Sequence, residues 1–179
     1  YNVPVMVCIN KFSTDSDEEI EYIKDFASKY DVPVEISQAY EFGSEGTIEF
    51  ANKVVEILEK EKTNYMPLYS LDLTIEEKIE KICKEIYGAS DVEFLDEAKE
   101  NIKKAVKFGY EKLPVCIAKT PSSLTDDAKI LGRPSGFKIT IKNIKINSGA
   151  GFIVAYAGNI MTLPGLGKNS RYKDYEQKY

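Results

Sequence analysis

The chain has 179 residues, enough for one domain or slightly more and for a substantial hydrophobic core. Hydrophobic residues make up 43% and charged residues 30%, the balance of an ordinary soluble globular protein, and neither a membrane-spanning apolar run nor a secretory leader pattern occurs. The net charge of −5, with no basic cluster to offset it, argues against nucleic acid as a partner. Histidine is absent, which removes imidazole from any catalytic or metal-binding scheme. Cys8, Cys83 and Cys116 are far apart, lie in apolar surroundings and fit no zinc spacing. They read as buried free thiols of a reducing, cytoplasmic setting, so no metal site is expected. The chain opens on Tyr1 and runs almost at once into a strand-like segment, the mark of a fragment or a processed chain.

Residues 3–9 (VPVMVCI) form a short β-branched apolar run, as expected for a strand buried on both faces. A turn at residues 10–15 follows. Ser16 and Glu19 then form a capping box for a helix with Ile20, Ile23, Phe26 and Ala27 on one face, ending near Tyr30 because Pro33 disfavours further helix. Residues 32–37 (VPVEIS) read as a second strand, and strand–helix–strand in this space predicts a parallel pair. After the Gly43-Ser44-Glu45-Gly46 loop, residues 47–62 predict a helix with Ile48, Ala51, Val55 and Leu58 facing inward.

Residues 65–69 read as a connector. Thr74 and Glu77 form a second capping box, opening a helix with Ile75, Ile79, Ile82 and Ile86 on one face and Gly88 as its stop. A further helix is predicted over residues 97–108, with Asp96 as its cap. Residues 113–118 (LPVCIA) form another apolar strand, followed by a polar, turn-rich stretch over residues 119–134. Residues 137–146 alternate as a strand with one wet face, and the phase changes at Asn143, which predicts a bulge there. Residues 152–157 read as a buried strand, and residues 165–179 as an extended or disordered tail. The whole predicts an α/β fold: a βαβ unit with mainly parallel buried strands, followed by helices and a mixed or antiparallel C-terminal strand region.

Ligands of α/β sheets sit at the carboxyl ends of strands. That places Asn10 and Phe12 on the rim after the first strand, and Ile36, Gln38 and Tyr40 on the rim after the second. Phe12 and Tyr40 are candidates to hold a flat heterocycle by stacking. Two aromatics packed on each other, or Phe12 packed on the following helix, are the structural alternatives. The segment from Gly43 to Thr47 resembles an anion-binding helix start, yet Glu45 opposes a phosphate and a tight turn is the simpler reading. A G-x-x-x-x-G-K-[ST] phosphate loop occurs nowhere in the sequence. Arg133, beside Gly132, and the glycine-rich Ser148-Gly149-Ala150-Gly151 segment allow close approach by an anion, though ordinary hairpin chemistry accounts for them equally.

Taken together, these segments resemble formate–tetrahydrofolate ligases. Asn10-Lys11-Phe12 with Thr14-Asp15 resembles that family's N-[RK]-F-x-T-D turn. Leu113-Pro114-Val115-Cys116-Ile117-Ala118-Lys119-Thr120 resembles its L-P-V-C-x-A-K-T, Ile86-Tyr87-Gly88-Ala89 its I-Y-G-A, and Gly158-Asn159-Ile160-Met161-Thr162 its G-[DN]-I-M-T. The resemblance runs in order to Gly167. It implies an ATP-dependent ligase that makes 10-formyltetrahydrofolate from formate, tetrahydrofolate and MgATP through formyl phosphate. It also implies that Phe12 and Tyr40 stack the pterin, with Tyr40 where a Trp is usual and Ser13 where a Pro is usual. Ser148, Gly149, Ala150 and Gly151 fall near the family's nucleotide. By the same resemblance residues 1–167 are the C-terminal, folate-site portion and residues 168–179 a divergent tail. The phosphate loop and the main catalytic Lys and Arg belong to sequence preceding Tyr1, so this chain alone is expected to be inactive and to contribute no catalytic residue. Its expected partners are the rest of the ligase, folate and a homo-oligomer of the full enzyme, with no membrane. The alternative is a non-catalytic remnant or binding module of the same fold.

Overall fold

Two strands with the hydrophobic pattern of a buried pair begin the chain. In the computed structural model, which describes residues 1–158 and residue 160, they are β1, Val7–Asn10, and β2, Val34–Ser37. They pair in parallel with Val7 opposite Val34 and Asn10 opposite Ser37, as the strand–helix–strand pattern predicts. Between them runs α1, Asp17–Ser28. Its start is fixed by a capping box: the Ser16 hydroxyl accepts the Glu19 N–H at 3.2 Å, and the Glu19 carboxylate accepts the Ser16 N–H at 3.0 Å. After β2 come a single turn, α2 (Ala39–Phe42), a short 3₁₀ turn and α3, Ile48–Lys60. These elements form one unit, Tyr1–Pro67; the second begins at Leu68.

Burial in this first unit departs from the pattern read from the sequence. Ile9, Ile20 and Ala27 are buried, but Cys8, Ile23 and Phe26 are exposed. An open cleft of about 410 Å³, lined by Val7–Asn10 together with Asp15, Glu19, Ile20 and Ile23, lies where burial on both strand faces was expected. On α3, Ile48, Ala51, Val55 and Leu58 face solvent. The helix carries a second apolar stripe, Phe50, Val54 and Ile57, and these are the half-buried apolar residues of the helix, which packs on β2.

The second unit has a continuous core. Thr74 and Glu77 form another capping box, with bonds of 3.2 and 2.8 Å, and open α4, Ile75–Glu85. Gly88, at φ 79°, turns the chain so that the Ala89 N–H reaches the Cys83 carbonyl at 3.0 Å. The next element, β3 (Asp91–Phe94), is a strand that the sequence pattern did not predict. Then follow α5 (Asp96–Lys107), β4 (Val115–Ala118), β5 (Lys138–Asn147) and β6 (Phe152–Ala157). Leu95, not Asp96, occupies the N-cap of α5, with no side-chain capping bond.

The sheet order is β3-β5-β6-β4, with β3 parallel to β5, β4 parallel to β6, and β5 antiparallel to β6. The C-terminal strand region is therefore mixed. Its register shifts between Ile141 and Asn143, the predicted bulge, and Ile139, Ile141 and Ile144 stay buried across it. The Asn143 side chain is held in place there. Its oxygen accepts Asn101 Nδ2 at 2.7 Å and the Ile144 N–H at 2.6 Å, and its amide donates to Glu97 at 2.6 Å.

Ile75, Ile79, Ile139, Ile141 and Ile153 are fully buried, as is Lys78. The Lys78 ammonium donates to the carbonyls of Glu111 at 2.6 Å and Leu113 at 3.3 Å, and burial pulls its pKa down. Cys83 is buried, whereas Cys116 is exposed like Cys8, which corrects the expectation of three buried thiols; all three are free. No helix of the described residues is long and apolar enough to cross a membrane. The residue 165–179 tail lies outside the described residues.

The two capping boxes have a pH signature. Hydrogen bonds from the Ser16 and Thr74 backbone and hydroxyl groups hold the Glu19 and Glu77 carboxyls below their ordinary value of 4.5. A depressed folded value means that the stabilisation is complete above pH 4.5 and is lost as pH falls through the lower folded value. Thr74→Ala is expected to cost about 1 kcal/mol at neutral pH. In thermal unfolding followed by circular dichroism, the difference from the parent should shrink on acidification.

Candidate functional site

The carboxyl ends of β1 and β2 lie side by side, because Asn10 pairs with Ser37. Beyond them the chain diverges into two short, self-closed loops. In the first, the Lys11 N–H extends the ladder to Ser37 O at 2.9 Å. The next residue, Phe12, is closed on Asp15: its N–H donates to the Asp15 carboxylate at 2.8 Å, and the Asp15 N–H donates back to Phe12 O at 3.0 Å. Phe12 is thereby tied through its own backbone. In the second loop the Gln38 N–H donates to Gly46 O at 2.9 Å, which returns the chain to β2 after α2. A Cβ on Gly46 would lie 2.5 Å from Gln38 O, so only glycine permits this closure. Tyr40 sits on the single turn of α2 between Gln38 and Gly46.

These two loops bring Phe12 and Tyr40 together. Their ring centroids are 5.3 Å apart and the planes are inclined by 49°. This is a direct tilted contact within the preferred range for aromatic pairs. A flat ring held between two aromatics needs centroids about 7 Å apart, twice the ~3.5 Å contact spacing of carbon atoms, so the pair must part by about 2 Å to admit one. Phe12 is 41% exposed and Tyr40 81%.

The remaining rim residues divide between two clefts. Asn10 lines the 410 Å³ cleft against α1, while Ile36 and Gln38 line another, of about 540 Å³, with Lys11, Lys24, Glu35 and Glu45. The two lysines there are engaged, Lys11 with Asp17 at 3.2 Å and Lys24 with Glu21 at 2.9 Å. Neither cleft includes the aromatic rings. Asp15 and Gly46, which place the two aromatics, entered the sequence reading only as the last residue of the N-[RK]-F-x-T-D turn and as part of a loop, and neither was given a role at the site.

In the second unit Ser148, Gly149, Ala150 and Gly151 form the turn of the β5–β6 hairpin. The Ala150 and Gly151 N–H groups both donate to Asn147 O, at 3.0 and 2.8 Å, and Gly151 has φ 76°. Ser148, Gly149 and Ala150 are exposed. Arg133 is exposed in the loop before β5. A cleft of about 720 Å³ in this unit is lined by Lys119, Thr120, Asp126, Thr140, Lys142 and Gly158 among others. The Lys119 ammonium donates to the Thr120 and Ser123 carbonyls and lies 4.8 Å from the Tyr87 ring centroid, which binds the residue 119–123 loop together. Among the described residues no cluster of His, Cys, Asp or Glu is arranged to hold a metal ion.

The fold and rim define an α/β protein whose candidate ligand edge lies at the carboxyl ends of a parallel strand pair. The family model for formate–tetrahydrofolate ligase matches residues 1–178. The chain belongs to that family of ATP-dependent ligases, which places it in folate and formate one-carbon metabolism.

Proposed function

We propose that this chain supplies the pterin-stacking side of the tetrahydrofolate site of a formate–tetrahydrofolate ligase, with Phe12 and Tyr40 as the two stacking rings. The single observation that carries this reading is the meeting of these rings at the carboxyl ends of two neighbouring parallel strands, 5.3 Å apart. The ligase reaction transfers the terminal phosphoryl group of MgATP to formate. The folate nitrogen then attacks the formyl carbon of formyl phosphate and displaces phosphate. Phe12 and Tyr40 act on this sequence by orienting the pterin; Asn10, Ile36 and Gln38 border it at the strand ends.

Phosphoryl transfer needs a cationic clamp and a phosphate loop. The rim lysines are engaged by carboxylates and the sequence holds no G-x-x-x-x-G-K-[ST]. We assign that chemistry to the rest of the ligase, with Ser148–Gly151 on the nucleotide side, and expect the isolated chain to be inactive. The exposed apolar residues Cys8, Ile23, Phe26, Val55 and Leu58 of the first unit support a covering partner of this kind. In the same reading residues 1–167 form the folate-site portion, residues 168–179 are a divergent tail, and the full enzyme is a cytoplasmic homo-oligomer. A non-catalytic binding or structural module is the second reading, and the direct contact of the two rings is the observation in its favour.

Calorimetric titration of tetrahydrofolate onto the chain separates the two readings. Phe12→Ala and Tyr40→Ala are each expected to weaken binding about tenfold, since loss of one stacking face is worth about 1–1.5 kcal/mol. Unchanged affinity in both variants rules out the stacking assignment.

A further inference from the structure

We infer that Asp15 is a positioning residue for folate recognition: it holds Phe12 as the stationary wall of the slot and leaves the opening movement to Tyr40. The inference rests on the stacking reading above and adds to it how the slot opens. The rings touch at 5.3 Å, so one of them must move to admit a pterin.

The two sides differ in how they are held. The residue before Phe12 continues the β1–β2 ladder, and Phe12 itself is bonded through both its N–H and its carbonyl to Asp15. A carboxylate accepting a backbone N–H at 2.8 Å is a charge-assisted bond, stronger than its neutral counterpart, and here it is joined by the return bond from the Asp15 N–H to the Phe12 carbonyl at 3.0 Å. Tyr40 stands on a single helical turn in which no residue is buried and whose N-cap, Gln38, makes no side-chain capping bond. That turn ends at Gly43, with φ 58° and ψ −137°, a backbone position open to glycine and strained for other residues. The turn is held by its own backbone bonds and by the neutral Gln38–Gly46 closure, with no charged partner, side-chain cap or buried residue, so opening at Tyr40 costs less than opening at Phe12.

The test is a titration of tetrahydrofolate onto the full 179-residue chain carrying Asp15→Ala, Asp15→Asn, Phe12→Ala or the Phe12→Ala/Asp15→Ala pair, with the thermal midpoint of each recorded. Asp15→Leu, close to Asp in size and unable to accept a hydrogen bond, stands in for Asp15→Ala should the latter not fold. Asp15→Ala is expected to weaken binding about tenfold and Asp15→Asn less than about twofold, because the amide oxygen still accepts the Phe12 N–H. The double variant should bind no more weakly than Phe12→Ala alone, since Asp15 acts only through that ring. A residue that merely stabilised the fold would lower the thermal midpoint and would not show this non-additivity. If Phe12→Ala weakens binding while Asp15→Ala does not, or if the two losses add, the role assigned to Asp15 is wrong and the stacking reading stands. If Phe12→Ala and Tyr40→Ala both bind as the parent does, the stacking reading falls and this inference with it.

Discussion

Replacing Ile141 by alanine is expected to lower the stability of the second unit by about 3–4 kcal/mol, in the middle of the range for fully buried large-to-small substitutions. Ile141 is fully buried on the central strand β5, opposite Phe94 of β3 and Ala157 of β6. Its side chain belongs to the cluster that holds Ile75, Ile79, Ile139 and Ile153. Strands on both sides and helices above leave little room for the site to collapse around the lost atoms, so the cavity term should be felt in full. Urea unfolding followed by circular dichroism should show a lower midpoint with an unchanged slope. Lys145→Ala on the same strand, at an exposed position, should change stability by less than about 0.5 kcal/mol. A loss below about 1 kcal/mol for Ile141→Ala would contradict the central placement of β5.

Gly158→Ala should cost about 3 kcal/mol by a different route. Gly158 has φ 75°, and a Cβ there would lie 2.8 Å from the backbone oxygen of Asp126. Left-handed backbone alone costs a non-glycine residue about 1–2 kcal/mol, and the overlap with a carbonyl oxygen adds to it. The neighbouring chain cannot yield freely, because the Asp126 carboxylate accepts the Thr140 N–H at 2.9 Å. That bond continues the β5 pairing just past the point where β6 ends opposite Ile141. Gly136→Ala is the matched control, with φ 71° and nothing within 4 Å of its added Cβ. The difference between the two variants in chemical unfolding isolates the steric part. Equal losses would show that the Asp126 loop gives way.

Much of the fold was legible in the sequence because its signals are local. Ser16 with Glu19 and Thr74 with Glu77 announced two helix starts. Residues 152–157 announced β6, and the change of phase at Asn143 announced the bulge. The strand β3 was missed because Asp91-Val92-Glu93-Phe94 carries a carboxylate at every second position and lacks the continuous apolar run that marked β1 and β4, strands of the same length. The inward face of α3 was misassigned because Ile48, Ala51, Val55 and Leu58 and the competing Phe50, Val54 and Ile57 are both at helical spacing. Only packing on β2 chooses between them. For the rim, parallel pairing was enough to place Phe12 and Tyr40 near each other. Their direct contact, one of the alternatives read from the sequence, could not be chosen there, because it depends on two closures, Phe12 on the Asp15 side chain and backbone and Gln38 on Gly46.

The burial of Cys83 has a practical consequence. Its side chain is fully covered in the core of the second unit, and burial pushes its thiol up to about 12, while Cys8 and Cys116 are exposed. Alkylating reagents attack thiolates at accessible surfaces, so they divide the three cysteines into two that react from the native state and one that waits for the core to open. The native sequence thus carries an internal clock. The slow phase of its modification times the rare excursions of α4 away from the sheet, with no probe introduced.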